Sequence, residues 1–193
     1  MFKMPKDIPY IKGGKMSSFI VDIEADGPIP GDYSMIEIGA VKLTECLDNT
    51  FYVDIKPISD RYDPNALASI GKTREETWLF NHLPDRAMYL FKTWVDENNK
   101  EGTRPMFFSD NNGFDFMFTH WYFMHYIGED PFGWTSRNLQ DIWRGVRMDM
   151  RDRGFKKMRE TKHTHNPVDD AKGNAEALLK MINFWKLKGI EVE

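Results

Sequence analysis

The chain has 193 residues, of which 41% are hydrophobic and 29% are charged, and its formal net charge is −4. This length is typical of one domain with one core, and the negative balance excludes a protein that coats nucleic acid through bulk positive charge. The single cysteine, Cys46, excludes an intrachain disulfide, and no apolar run approaches the roughly 20 residues that span a bilayer, so we expect a cytoplasmic protein without a membrane partner.

The first third of the chain combines a polar arm with three strand candidates. Residues 1–16 contain two prolines, a Gly-Gly pair and four lysines, which predicts a flexible arm. Segments 18–23, 35–43 and 50–55 are rich in β-branched and aromatic residues, as strands are. They predict a meander in which the first strand is central and the third lies nearer an edge.

Helical periodicity dominates the rest of the chain. Apolar residues recur at spacings of three and four over 84–98, where Pro84 suits a helix start. A buried strand is predicted at 104–109, an aromatic helix at 111–127 and a final helix at 168–188. Strands followed by alternating helices and strands predict an α/β fold, with a mixed central β-sheet flanked by α-helices.

Two acidic residues stand at the end of the first predicted strand. Asp22 and Glu24 are two positions apart, so a strand places both side chains on one face. Neighbouring carboxylates repel each other unless a cation lies between them, and their hard oxygen ligands suit Mg²⁺ or Mn²⁺. The alternative is an exposed acidic strand end without a ligand.

A third acidic residue, Asp115, lies among phenylalanines. A carboxylate in such surroundings is costly to bury unless it has a partner. Asn111 and Gly113 favour a turn just before it, so Asp115 could also stabilise the start of a helix through the helix dipole. The residues alone leave a metal ligand and a helix-start acid as equal alternatives.

The start of the final helix carries a histidine and two more acids. Asp169 and Asp170 fall in the first turn, where acidic side chains are favoured anyway. Helix capping does not explain His165, which could accept a proton near neutral pH.

A basic run at 144–162 leads to that histidine. It has eight basic and three acidic residues. Arg151, Arg153, Lys156 and Lys157 are therefore candidate contacts to a phosphate backbone, and the alternative is a solvated surface.

The aromatic residues around Asp115 offer a second kind of substrate contact. Phe114, Phe118, Trp121 and Tyr122 have the composition of a core, but one of them could stack on a terminal base, and Phe114 is the candidate. The same aromatic surplus would suit an interface, so a homo-oligomer is a further candidate assembly.

The order and spacing of these motifs carry more information than each motif alone. The chain has D-x-E at 22–24, N-x-x-F-D at 111–115 and H-x-x-x-x-D at 165–170. This set resembles the DEDDh exonucleases, the DnaQ-like group. Two further segments extend the resemblance. EIGAV at 37–41 resembles the family's second strand, and NLQDIWR at 138–144 contains the L-x-D that the family places ahead of a helix.

The resemblance implies an RNase H-like fold and a single DEDDh exonuclease domain over 17–193. It implies a site for two Mg²⁺ or Mn²⁺ ions and a histidine general base. Carried over to this sequence, the general base is His165 and the metal-binding acids are Asp22, Glu24, Asp115 and Asp170. Asp170, not Asp169, has the family's spacing from the histidine. Asn111 matches the polar residue that precedes the acid of the second motif, so the resemblance implies that Asn111 contacts the substrate. Asp26 departs from the family, adding a negative charge beside the expected 3′ end.

The resemblance also implies an activity. The expected reaction is 3′–5′ hydrolysis that releases nucleoside 5′-monophosphates from nucleic-acid 3′ ends by a two-metal mechanism. Single-stranded DNA is slightly favoured as the substrate over RNA. The alternative is a catalytically silent subunit that binds nucleic acid or a proofreading-type partner.

Overall fold

The computed structural model describes residues 16–187, with side chains through residue 185, so nearly all of the arm predicted at 1–16 lies outside the described residues. Within that part of the chain there are five strands: β1 (Ser18–Ala25), β2 (Met35–Lys42), β3 (Thr50–Asp54), β4 (Met106–Ser109) and β5 (Ser136–Asn138). The α-helices are α1 (Pro64–Ser69), α2 (Arg74–Trp78), α3 (Pro84–Asn98), α4 (Asn112–Tyr122), α5 (Leu139–Arg147) and α6 (Pro167–Leu187). A π-helical turn, Phe123–Ile127, continues α4, and a 3₁₀-helix covers Gly154–Met158.

The strands form one mixed sheet in the order β3-β2-β1-β4-β5. β1 pairs antiparallel with β2 and parallel with β4, while β2–β3 is antiparallel and β4–β5 is parallel. The predicted mixed sheet is confirmed, with the first strand at its centre and the third at an edge. The apolar run of β1 follows from this position, because a central strand is covered on both faces.

The helices cover both faces of the sheet. On one face, α3 and α4 pack around Phe91, Phe107 and Phe118, and on the other, α6 packs around Phe108 and Leu178. This layered arrangement confirms the RNase H-like α/β fold class. No described helix is both long enough and apolar enough to cross a membrane.

The boundaries differ from the predicted ones where side-chain pattern is a weak guide. β1 extends to Ala25, so the D-x-E pair lies inside the strand. β5, Ser136–Asn138, was not predicted because its three polar residues lack an apolar pattern and it is defined by pairing with β4. The L-x-D of Leu139 and Asp141 lies inside the first turn of α5, not ahead of that helix.

Candidate active site

Four predicted acids converge at one end of the sheet. β1 supplies Asp22 and Glu24, and the first turns of α4 and α6 supply Asp115 and Asp170. Ligand oxygens of Asp22, Glu24 and Asp170 lie within 4.8 Å of one another, and so do those of Asp22, Asp110 and Asp115. Asp22 belongs to both of these carboxylate clusters.

The electrostatics of this centre favour a cation. Burial, followed by the charges of Asp115 and Glu24, raises the pKa of Asp22 well above its usual range. Burial and then Glu37 raise the pKa of Glu24 to about 8. Burial and then Asp110 raise the pKa of Asp115 to about 8, and its buried Oδ2 has no hydrogen-bond partner. An uncompensated buried carboxylate oxygen among other carboxylates fits a hard divalent cation.

Asp170 and Asp169 have different surroundings. Asp170 is buried and accepts hydrogen bonds from the backbone N–H groups of Thr164 at 3.2 Å and His165 at 3.0 Å. Asp169 is half-buried and lies 3.5 Å from the hydroxyl of Thr164. Of these two residues, only Asp170 belongs to the cluster of carboxylates that contains Asp22 and Glu24.

Two histidines reach the centre from the loop before α6. His165 has a left-handed backbone with φ of 57°, its side chain is 42% exposed, and its Nδ1 lies 3.6 Å from Oε1 of Glu24. His163 lies closer to an acid, with Nδ1 at 2.8 Å from Oδ1 of Asp170. The two imidazole rings are 4.4 Å apart between centroids. The loop therefore places both rings beside the acids, with His165 next to the D-x-E pair.

Asp110 is an acid of this centre that motif spacing did not identify. Its carboxylate accepts hydrogen bonds from Arg159 at 3.1 Å and Asn174 at 3.2 Å, and Lys156 Nζ lies 2.8 Å away. Burial alone would raise the pKa of Asp110, but these donors, first among them Lys156, outweigh burial and hold it below the usual value. The one sequence signal was its place before Asn111, at the end of a buried strand.

Gly39 is a second residue that was missed. It pairs with Asp22 across β1 and β2, and the start of α6 lies directly against it. A Cβ at this position would lie 2.2 Å from the carbonyl carbon of Pro167, so only glycine admits the helix that carries Asp170. A glycine inside a buried strand was the available signal, because such glycines mark close backbone approach.

A cavity of about 350 Å³ opens beside the acids. Phe114, Glu24 and His165 line one part of it, and the loop after β1 and helix α1 line the rest. Phe114 therefore lies where a base could stack on it. Asn111 is exposed at the start of α4, and its side chain makes no capping hydrogen bond. Both substrate contacts stay predictions.

The negative charge expected from Asp26 is compensated inside the fold. This fully buried carboxylate lies 2.8 Å from the guanidinium of Arg74 and accepts a hydrogen bond from the backbone N–H of Ser34 at 2.5 Å. It therefore anchors the loop after β1 and does not present an unpaired charge to the cavity.

The predicted basic run divides into two parts. Arg151, Arg153 and Lys157 are exposed and have no ion pair among residues 16–185. Lys156 is the one member of the four predicted phosphate contacts that touches an acid of the centre, and Arg159 is buried against the same acid. The three exposed residues stay predictions as substrate contacts.

Known proteins resemble this chain in sequence and in fold. No protein-family model matches it. It is 34% identical over 169 residues to the 3′–5′ DNA exonuclease Cap18 of Escherichia coli, covering 84% of this chain and 89% of that protein.

Among solved structures, the nuclease domain of 3′hExo, a DEDDh family member bound to rAMP, has a TM-score of 0.70 at 17% identity and covers 92% of this chain and 94% of that chain. E. coli exonuclease I in complex with a dT13 oligonucleotide has a TM-score of 0.68 at 16% identity, covering 90% of this chain. The chain spans only 43% of the length of exonuclease I.

Proposed function

The chain belongs to the DEDDh family of 3′–5′ exonucleases, and from this membership we propose that it removes nucleoside 5′-monophosphates from the 3′ end of single-stranded DNA with two Mg²⁺ or Mn²⁺ ions. The observation that carries the proposal is the presence of two carboxylate clusters that both contain Asp22. DNA is favoured because Cap18, which is 34% identical to this chain, is a DNA exonuclease.

The acids divide the task of holding the ions. Asp22, Glu24 and Asp170 would hold one ion, and Asp22 with Asp115 would hold the other. Asp110, the third acid of the second cluster, is already paired with Lys156 and Arg159. Bound in this way, the ions supply Lewis-acid polarisation of the scissile phosphate and activation of the attacking water. The buried, unpartnered Oδ2 of Asp115 supports this assignment, because a cation would satisfy it.

The protein itself moves the proton. His165 stands beside Glu24 with Nδ1 towards the carboxylate, which leaves Nε2 as the nitrogen that accepts the proton of the attacking water. Its exposed side chain and loop position allow it to adjust when substrate enters the cavity. In this proposal, Phe114 stacks on the terminal base and Lys156 contacts a backbone phosphate.

The test is hydrolysis of DNA and RNA oligomers labelled at the 3′ or the 5′ end, with Mg²⁺, Mn²⁺ or EDTA. We expect immediate release of the 3′ label as a mononucleotide, a ladder of shortened 5′-labelled products, and no reaction in EDTA or with Asp22→Ala. Faster hydrolysis of RNA would move the substrate assignment to RNA. Binding without hydrolysis under every metal condition would leave the silent-subunit alternative.

A further inference from the structure

A polar strip runs from the carboxylate centre along β5. The side-chain amide of Asn138 donates to the carbonyl of Asp110 at 3.1 Å and to Oδ1 of Asn112 at 3.0 Å. Asn112 in turn donates to the hydroxyl of Ser136 at 2.9 Å. These bonds fix the edge strand against the first turn of α4, so this surface begins at the acids and is held rigidly there.

Helix α4 continues the same surface. Asn112, Phe116 and His120 are four residues apart and therefore share one face of the helix. The rings of Phe116 and His120 are stacked, with centroids 5.4 Å apart. Nδ1 of His120 lies 2.7 Å from the buried carboxylate of Asp130, which fixes the imidazole.

An exposed tryptophan stands at the far end. Trp134 is 72% exposed, and its ring meets that of His120 edge-on at 4.9 Å. Core packing does not account for an indole that leaves most of its surface in water. The turn before it is held by Asp130, which accepts a hydrogen bond from the backbone N–H of Phe132 at 2.8 Å. The ring is thus exposed beside a hydrogen-bonded turn, where a base could stack on it.

The surroundings carry positive charge. Arg137 of β5 is exposed, donates to the carbonyl of Ser136 at 3.2 Å and has no ion pair among residues 16–185. Lys156 lies where the strip meets Asp110. A phosphodiester backbone complements these cations.

The strip and the cavity are formed by different residues, and they share no lining residue. The cavity is lined by Phe114, the loop after β1 and helix α1, whereas the strip starts at Asp110 and Asn138, at the ends of β4 and β5. A strand whose terminal nucleotide fills the cavity and whose scissile phosphate lies at the acids must continue away from the cavity. Asn138, at the end of β5, bonds to Asp110 of the centre and does not line the cavity, so β5 is a candidate for that continuation.

We propose that the α4–β5 strip, which runs from Asn138 through Asn112, Ser136, Phe116 and His120 to Trp134, binds the single strand on the 5′ side of the scissile phosphate, with one base stacked on Trp134. The inference rests on the proposed function, since it requires a nucleic-acid strand in the site. It adds a second contact region that only a substrate of several nucleotides can reach.

The first experiment compares hydrolysis of a DNA oligomer of about twelve nucleotides with that of a dinucleotide, a length range suited to single-strand sites. For Trp134→Ala we expect the ratio of the two kcat/KM values to fall about tenfold, the loss of one base stacked on an aromatic ring. Trp134→Phe should recover most of the ratio. Tyr89→Ala, which removes another exposed aromatic, from α3, should keep the parental ratio. An unchanged ratio in Trp134→Ala would overturn the inference.

The second experiment measures binding without turnover, so that failure of the strip differs from failure of the proposed activity. In an Asp22→Ala background, Trp134→Ala should weaken the Kd for the labelled oligomer about tenfold. Arg137→Gln should reduce the slope of log Kd against log salt by about one unit, the release of one counterion. Equal Kd values for both Trp134 forms would reject the strip even in an active exonuclease, whereas absence of hydrolysis in the parent would reject the activity alone.

Discussion

At the scale of single residues, the carboxylates of the centre repel one another when no cation lies between them. The pKa of Glu24 is raised from 4.5 to about 8 and that of Asp115 from 3.8 to about 8, in each case mainly by burial. Between the ordinary and the raised pKa, the native state holds protons that the unfolded state has released. Stability of the metal-free protein is therefore full at low pH and falls as pH rises through this window.

We accordingly expect the Tm of the protein in EDTA to decrease from about pH 5 to about pH 8. Glu24→Gln removes one of the titrating groups and should make the decrease shallower. Glu75→Gln, which changes an exposed acid of α2, should retain the parental slope. Thermal melts across the pH range measure this, and a Tm that rises steadily with pH would contradict the assigned charges.

The two histidines are distinguished by what each one touches. His165 is the proposed proton acceptor, and a general base contributes roughly 10²–10⁴-fold to the rate. His165→Ala should lose single-turnover rate on that scale and recover part of it at high pH, where hydroxide is abundant. His163 contacts Asp170. His163→Ala should therefore cause a smaller loss of single-turnover rate, because it changes only the position of the loop before α6.

Single-turnover cleavage of a labelled oligomer from about pH 6 to 9 separates these roles. Mn²⁺ binding, followed by calorimetry, should be nearly unchanged in His165→Ala because the histidine is not a proposed ligand. A larger defect in His163→Ala than in His165→Ala would exchange the two roles.

Motif spacing indicated which acids lie near one another, and it missed a residue whose partners meet only through folding. Asp22 and Glu24 were placed together by strand period alone. Asp110 was missed because its partners Arg159 and Asn174 are 49 and 64 positions away in the chain. No local pattern indicates such a contact, since it exists only once the 3₁₀ segment and α6 have packed against β4.

At the scale of elements, segments with a clear apolar pattern were predicted, and the polar strand β5 was not. The helix at Pro84–Asn98 has the predicted bounds, because Pro84 starts it and its apolar stripe is complete. Ser136–Asn138 contains no apolar residue and depends on its neighbour for every strand contact. Its course nevertheless shapes the site, because Asn138 joins it to Asp110.

The contact between β2 and α6 gives the element-scale prediction. Gly39→Ala would place a methyl group 2.2 Å from the carbonyl carbon of Pro167 and 2.3 Å from the backbone nitrogen of Val168. Backbone cannot yield as a flexible side chain does, so α6 must shift. Overpacking of this kind costs about 1–3 kcal/mol of unfolding free energy. Because α6 carries Asp170, we expect activity to fall further than the stability loss explains.

Gly145→Ala is the matched control. Gly145 lies in α5, and a Cβ there would have no neighbouring atom within 4 Å. Alanine favours a helix over glycine by roughly 0.5–1 kcal/mol, so this variant should unfold at equal or higher denaturant concentration. Urea melts and oligomer hydrolysis of both variants test the contact, and full activity in Gly39→Ala would show that α6 adapts freely.

At the scale of the whole molecule, the site joins parts of the chain that are far apart in sequence. Its acids come from β1, the loop after β4, α4 and α6, so every layer of the fold contributes to one small volume. The single domain predicted over 17–193 stays a prediction, and one cooperative unfolding transition would support it. An ion bound at the acids would connect these elements directly.

Divalent ions should therefore stabilise the entire fold. An ion that binds only the native state adds about 2.7 kcal/mol to the unfolding free energy at a concentration 100 times its Kd. We expect Tm to rise with Mn²⁺ or Mg²⁺, and to rise less with Ca²⁺, which prefers more and longer oxygen contacts. Asp22→Ala removes the acid that belongs to both carboxylate clusters, so the Tm of this variant should respond little to any of the three ions.

The Tm in EDTA supplies the control for this last prediction. Asp22→Ala removes a charge whose pKa is raised by burial and by neighbouring acids, so the metal-free variant should melt no lower than the parent. A variant that melts well below the parent in EDTA would show that Asp22 supports the fold itself, and its weak response to metal would then carry no information about the ions. A parent whose Tm ignores all three ions, with and without a DNA oligomer, would contradict the metal centre.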